Sequence, residues 1–186
     1  FGAYFGEQPF TSGPVYVGAI ICMLFLLGQL TIKGPEKWSL LAAFLLSITL
    51  SWGRNFMGLT NFFLDFVPGY DKFRAVTTII VIAEFAMPLL GILALDKLIR
   101  EPDYFKQHAK SLYYAIGITL GLTLLIAVAP GMFTSFYSTR EYEQVMATAK
   151  NQGISQDVVD NIFTNLSTAR KAIVTADAWR SCLLLL

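Results

Sequence analysis

Residues 75–95 read AVTTIIVIAEFAMPLLGILAL, and this stretch decides the fold class. Glu84 is its only charged residue. An α-helix rises about 1.5 Å per residue, so about 20 apolar residues cross the roughly 30 Å hydrocarbon core of a bilayer. The stretch therefore predicts a membrane-spanning helix.

Three further apolar runs flank this stretch. They are residues 14–31 (PVYVGAIICMLFLLGQLT), 38–52 (WSLLAAFLLSITLSW) and 111–130 (SLYYAIGITLGLTLLIAVAP). A single run of this kind could be a buried helix of a large soluble protein, but four in succession favour a membrane protein. We therefore expect an all-α integral membrane protein with four transmembrane helices. Residues 178–186 predict the start of a fifth.

Composition supports the membrane class and excludes several others. Hydrophobic residues make up 55% of the chain and charged residues 15%, whereas soluble domains average about 45–50% and about 25%. Fourteen Lys and Arg against thirteen Asp and Glu leave a formal charge of +1. No basic excess is present to meet a phosphate backbone, so no nucleic-acid partner is expected. Two cysteines and one histidine exclude a Cys/His zinc site.

The positions of Lys and Arg orient the predicted helices. Residues 33–37 and 96–110 carry six of them, and residues 1–13 carry none. Because basic residues of short loops are retained on the cytoplasmic side, both short connections should lie inside. The loop 53–74 and the segment 131–177 should then lie outside. The chain begins at Phe1 and ends within an apolar run, so we expect a fragment whose partner is the remainder of the same polypeptide.

Residues 131–177 predict two extracytoplasmic amphipathic helices. Ser138 and Glu141 have the spacing of a capping box, and Gly153 resembles a helix stop. Ser155 can cap the second helix, whose apolar residues recur at helical spacing. These helices could pack on the outer membrane face or on another domain.

The outer loop 53–74 carries most of the candidate binding residues, which are Arg54, Asp65, Asp71, Lys72 and Arg74. An arginine can hold a phosphate through paired N–H bonds, so the cluster fits an anionic lipid or a sugar phosphate. Anchoring at lipid headgroups is an equally good explanation of the same residues. Both interpretations stay open.

Glu84 is the remaining candidate, close to the middle of the third predicted span. A carboxylate in hydrocarbon costs several kcal/mol unless it is paired or protonated. Pro88 cannot donate a hydrogen bond to the carbonyl of Glu84, which predicts a local kink. Glu84 could contact a ligand, relay protons, or make a structural hydrogen bond to another helix.

Several motifs resemble the YfhO family of bacterial polytopic membrane proteins, and the Bacteroidetes version is the most similar. They are residues 4–18 (YFGEQPFTSGPVYVG), 51–56 (SWGRNF), 67–74 (VPGYDKFR) and 170–180 (RKAIVTADAWR). The resemblance spans nearly all of the chain, as the middle portion of a longer protein.

The resemblance implies a GT-C-like helical bundle in the bacterial cytoplasmic membrane. It also implies a glycosyltransferase that moves sugar from a polyprenyl-phosphate donor to an envelope lipid or polymer. In that class the base lies in the first outer loop, which would precede Phe1, so no catalytic residue is assigned. Arg54, Lys72 and Arg74 would bind the leaving phosphate.

Membrane lipids are the other expected partners. No cofactor or metal ligand is identified, and a divalent metal in the full-length protein stays open. Two other functions also stay open. One is a transporter or flippase in which Glu84 and the kinked helix line a substrate path. The other is a structural subunit of an envelope complex that docks through residues 131–177.

Overall fold

The structure, a computed structural model, describes residues 16–72, 76–132 and 136–186. All regular secondary structure within these ranges is helical. The α-helices are α1 (Ala19–Thr31), α2 (Pro35–Ser51), α3 (Met57–Phe66), α4 (Val81–Arg100), α5 (Pro102–Gln107), α6 (Ala109–Val128), α7 (Thr139–Asn151) and α8 (Gln156–Leu185). Short 3-10 helices cover Gly53–Phe56, Tyr70–Lys72, Val76–Ile80 and Pro130–Met132.

Two helices are long and apolar enough to cross a membrane, judged by length and composition. They are Thr78–Arg100, which includes α4, and α6. α1 is apolar but has only 13 residues, about 20 Å, because it starts after Gly18, whose φ is +83°. α2 has 17 residues and begins at Pro35. The structure thus supports two spans, and the arrangement with four stays a prediction.

The described residues from 16 to 119 form one compact unit, whose buried core joins α1, α4 and the first half of α6. The buried members of this core are Phe25, Leu27, Ile32, Met87, Leu90, Ala94 and Ala115. α1 and α4 approach closely at two glycines. A Cβ on Gly28 would stand 2.9 Å from the Leu90 carbonyl oxygen, and one on Gly91 would stand 2.9 Å from the Leu24 Cβ. Small residues allow this approach of two helix backbones.

A serine of α2 caps the start of α4. The Ser47 hydroxyl donates to the Ile79 carbonyl at 2.7 Å and accepts from the Ala83 N–H at 3.3 Å. The first N–H groups of an α-helix have no acceptor within the helix, so this bond satisfies one of them. The contact fixes the end of α2 against the beginning of α4.

The two lysine-bearing connections meet at the same end of this unit. The Tyr104 hydroxyl of α5 donates to the carbonyl of Thr31, the last residue of α1. The Lys97 ammonium lies 4.1 Å above the Tyr104 ring, a cation–π contact. The predicted placement of residues 33–37 and 96–110 on one side of the membrane requires this arrangement.

Residues 120–186 belong to the second unit, in which α7 has the predicted ends. Ser138 caps α7, since its hydroxyl accepts from the Glu141 N–H at 3.0 Å. α7 ends at Asn151, and Gly153 has a φ of +71°. The capping box and the glycine stop are therefore confirmed as local structure. Whether this helix lies outside the membrane stays a prediction.

α8 is one helix of 30 residues. It continues through Ala178, where the sequence predicts that an outer helix ends and a fifth span begins. Neither Gly nor Pro occurs in α8, so nothing in the backbone interrupts it although the hydropathy changes. Its first half packs on α7 through Val159 and Phe163. In its second half, the Cys182 Sγ lies 3.3 Å from the Thr123 Oγ1 of α6.

Candidate functional site

The predicted phosphate-binding residues lie on the connection between α2 and α4. Arg54 belongs to the 3-10 helix that follows α2, and Asp65 is exposed on α3. Asp71 and Lys72 belong to the next 3-10 helix, where Lys72 is exposed. Arg74 lies outside the described residues, as do the side chains of Arg54 and Asp71. The structure therefore places Asp65 and Lys72 and leaves the grouping of the three cations a prediction.

α3 presents an aromatic surface beside the segment that carries Lys72. Phe62 and Phe66 are exposed, and their rings contact each other at a tilt of 34° with centroids 5.0 Å apart. On the same helix, Phe63 contacts Tyr70 with centroids 5.5 Å apart, and this contact holds the 3-10 helix of Lys72 against α3. Exposed aromatic rings next to a lysine are typical of a helix lying at a membrane interface.

Glu84 has a buried carboxylate oxygen, Oε1, without a hydrogen-bond partner in the part of the chain that the structure describes. The backbone carbonyl of Glu84 cannot receive the usual helical bond, because residue 88 is a proline inside α4. The buried Oε1 can therefore take a hydrogen bond from a group that the described residues do not supply. A ligand hydroxyl or a cation would supply this partner.

The position of Glu84 along its helix differs from the predicted one. The sequence places it close to the middle of a span at 75–95, whereas the helix able to span runs over Thr78–Arg100 and has its middle at Leu89. Glu84 lies in the first turn of α4, about 7.5 Å from that middle. The helix N-terminus there favours a negative charge. Glu84 therefore lies nearer to the start of the helix than the sequence predicts.

The structure brings Ser47 against the turn that precedes Glu84, and the sequence gives no reason to select it. Ser47 bonds the backbone of Ile79 and Ala83, so it fixes the turn from which the Glu84 side chain projects. Ser47 is one of three serines in the apolar run 38–52, and nothing in the sequence distinguishes it from the others. A hydroxyl residue in such a helix commonly bonds its own backbone, as Thr49 does to Leu45.

Metal binding has no structural support in the described ranges. No group of three or more His, Cys, Asp and Glu side chains there could hold a metal ion.

The comparisons with known proteins find no match to a protein-family model, to a curated protein or to a solved structure. The class that the fold defines is therefore an all-helical chain with two helices able to span a membrane. The resemblance to the YfhO family stays a prediction that rests on the quoted motifs.

Proposed function

We propose that the chain is the membrane-embedded middle part of a GT-C-like glycosyltransferase of the YfhO type. It binds a polyprenyl-phosphate sugar at the outer face of the bacterial cytoplasmic membrane. The sugar is then transferred to an envelope lipid or polymer. The observation that carries the proposal is the aromatic surface of α3 with Lys72 beside it, which suits a substrate with a lipid tail and a phosphate.

The large exposed fraction of the two apolar helices supports their location in a membrane. Only 33% of the apolar window of Thr78–Arg100 and 17% of that of α6 are buried. Phe85, Ile92 and Ile99 of α4 and Leu122 of α6 are among the exposed side chains. The core helix of a soluble protein would be mostly buried, whereas hydrocarbon accepts such surfaces without cost.

The proposal also includes two further membrane crossings, by α1 and α2, which would make four in all. α2 measures about 26 Å, a mismatch that a bilayer absorbs by local thinning. Trp38 and Trp52 are exposed at its two ends, where interfacial tryptophans are expected. α1 lies along α4 through the Gly28 and Gly91 contacts and would enter the bilayer with it.

The chemistry assigned to the cations is stabilisation of a leaving group. When the sugar leaves a polyprenyl phosphate, negative charge accumulates on the departing phosphate oxygens. Fixed cations near those oxygens lower the energy of the transition state more than that of the ground state. Lys72 is exposed at the interfacial segment, and Arg54 and Arg74 flank it in the sequence. These three residues would perform this role.

A transfer assay on the full-length protein tests the proposal. The protein is reconstituted in liposomes with radiolabelled polyprenyl-phosphate hexoses, one donor at a time. We expect Arg74→Ala to slow sugar transfer about 100-fold, the usual effect of losing one donor to a transition-state anion. Lys106→Ala is the control, because it removes an exposed cation at the other end of the unit. Normal sugar transfer by Arg74→Ala would contradict the proposed phosphate site. Absence of transfer by the wild type with every donor would contradict the proposed enzyme activity.

Glu84 supports a second candidate function, a transport or flipping path for a lipid-linked sugar. Its buried, unsatisfied Oε1 beside a proline-interrupted turn is what a helix lining such a path would offer. The measurement is translocation of a lipid-linked sugar across reconstituted vesicles. Glu84→Gln should reduce the rate, and Glu101→Gln, an exposed glutamate just after the same helix, should not. An unchanged rate in Glu84→Gln removes this candidate.

A further inference from the structure

A cavity of about 380 Å³ lies in the unit of residues 120–186, outside the site described above. It opens between the segment that leads into α7 and one face of α8. Its volume falls within the range of about 300–1,000 Å³ that is usual for small-molecule sites. None of the candidate residues identified from the sequence lines it.

One wall of the cavity is a cluster of three aromatic rings. The centroid of buried Phe163 lies 5.1 Å from that of Tyr137 and 5.1 Å from that of Tyr142, and both pairs meet edge to face. Tyr137 is 39% exposed, whereas Phe163 is 4% exposed. Phe163 therefore packs behind the two tyrosines, and the Tyr137 ring is the one that a ligand can contact.

The other wall is a row of oxygen atoms on α8. Its members recur at i, i+4, i+7 and i+8, which places them on one helix face; they are Asp160, Thr164, Ser167 and Thr168. The Thr164 hydroxyl donates to the Asp160 carbonyl at 2.8 Å, and that of Thr168 donates to the Thr164 carbonyl at 2.9 Å. Their protons are thus committed to the backbone, and their oxygens remain able to accept.

A carboxylate completes the polar wall. The Tyr142 hydroxyl donates to the Asp160 Oδ1 at 2.6 Å, and this bond raises the pKa of Tyr142. Tyr142 therefore stays protonated at neutral pH and keeps the carboxylate oriented. The Oδ2 of Asp160 makes no hydrogen bond to any described residue and can accept from a ligand.

We propose that this cavity binds a sugar residue. A pyranose ring carries several hydroxyl donors around its edge and an apolar face of C–H groups. The hydroxyls match the acceptor row and the Asp160 carboxylate, and the C–H face matches the Tyr137 ring. A quaternary ammonium ion is the competing ligand, because it also uses aromatic rings and a negative charge. It would leave the threonine and serine oxygens unused, and the buried Phe163 offers it no open face.

This inference goes beyond the proposed function, since sugar binding requires no transfer reaction. The predicted topology puts residues 131–177 outside the membrane, where an envelope polysaccharide would be met. The cavity would then hold part of the polymer while the chemistry takes place elsewhere.

Saturation-transfer NMR on the full chain in nanodiscs tests the inference. The probes are the methyl glycosides of glucose, galactose, mannose and N-acetylglucosamine, with tetramethylammonium as the competing cation. We expect saturation of ring C–H protons for at least one glycoside. Tyr137→Ala and Asp160→Asn should each weaken binding about tenfold, the loss expected when one good contact is removed.

Matched variants separate a binding site from a general effect on the fold. Trp179→Ala removes another exposed ring of α8, and Asp157→Asn neutralises another exposed carboxylate of the same helix. Both should bind the glycoside normally. Asp160→Asn keeps the size of the side chain, so it stays informative if Tyr137→Ala unfolds, and circular dichroism reports the fold.

Three results overturn the inference. They are no saturation with any glycoside, equal binding in Asp160→Asn and Asp157→Asn, and saturation of tetramethylammonium alone. The sugar-transfer assay reports separately on the proposed function. Glycoside binding without sugar transfer contradicts only the proposed enzyme activity. Sugar transfer without glycoside binding contradicts only the proposed sugar site in the cavity.

Discussion

At the scale of single residues, Glu141 illustrates which contacts a sequence reveals. Its backbone N–H donates to the Ser138 hydroxyl, as the spacing of the capping box predicts. Its two carboxylate oxygens accept from the Arg170 guanidinium at 2.9 and 3.0 Å. Arg170 also donates to the Phe136 carbonyl at 2.6 Å. This clamp joins residues 29 positions apart, and no local pattern indicates such a pair.

The clamp should make the α7–α8 contact dependent on pH. Hydrogen bonds from Arg170 hold the pKa of Glu141 below its ordinary value, against the opposing effect of burial. A lowered folded-state pKa contributes stability that is complete above the unfolded value of about 4.3 and is lost as the pH falls through the folded value. Protection of α7 amides from hydrogen exchange should therefore fall below about pH 4 in the wild type.

Glu141→Gln removes the charge and should remove most of that pH dependence. We expect α7 to open more easily at pH 7 by about 1 kcal/mol, a modest figure because the carboxylate is partly solvated. Glu143→Gln changes an exposed neighbour on the same helix and should behave as the wild type. An equally steep loss of amide protection in Glu141→Gln below pH 4 would show that another group is responsible.

At the scale of helices, the Gly28 and Gly91 contacts decide how closely α1 and α4 pack. Gly28→Ala places a methyl group against the Leu90 carbonyl, which belongs to the backbone and cannot rotate away. We expect a loss of about 1–3 kcal/mol in the free energy of unfolding, the usual cost of overpacking. Denaturation in mixed detergent micelles measures it.

Gly117→Ala is the matched control for this substitution. Gly117 lies within α6 with nothing inside 4 Å of a new Cβ. Alanine there should leave stability unchanged or raise it by up to about 1 kcal/mol through better helix propensity. If both variants behave alike, the α1–α4 approach is looser than 2.9 Å implies.

Hydropathy located the helices but not their ends. α4 continues past the predicted end at Leu95 to Arg100, and an exposed ion pair between Asp96 and Arg100, one turn apart at 2.7 Å, adds a small stabilisation there. Charged residues lower hydropathy without lowering helix propensity, so an apolar window stops before the helix does. In α8, a change in hydropathy predicts a helix end that does not exist. The polar first part and the apolar last part predict two helices, but they form one.

At the scale of the whole molecule, helix content followed from the sequence, but the assembly of the site did not. The apolar runs predict where α1, α2, α4 and α6 lie. They do not indicate which helix supplies a hydrogen-bond partner to another. The contact of Ser47 with the start of α4 and the cavity beside Tyr137 therefore cannot be predicted from them. Each depends on residues that share no motif, 32 positions apart for Ser47 and Ile79 and 18 positions apart for Tyr142 and Asp160.

Orientation in the membrane is the property on which the phosphate site depends most. The basic residues of the short connections predict that the α3 segment faces outward. Cysteines introduced at Phe66 and Lys150 should react with a membrane-impermeant maleimide in intact cells, and one at Lys106 only after permeabilisation. All three positions are exposed, and Cys22 and Cys182 are first replaced by alanine. Protection of position 66 together with reaction at position 106 would put the α3 segment in the cytoplasm, away from an outward-facing donor sugar.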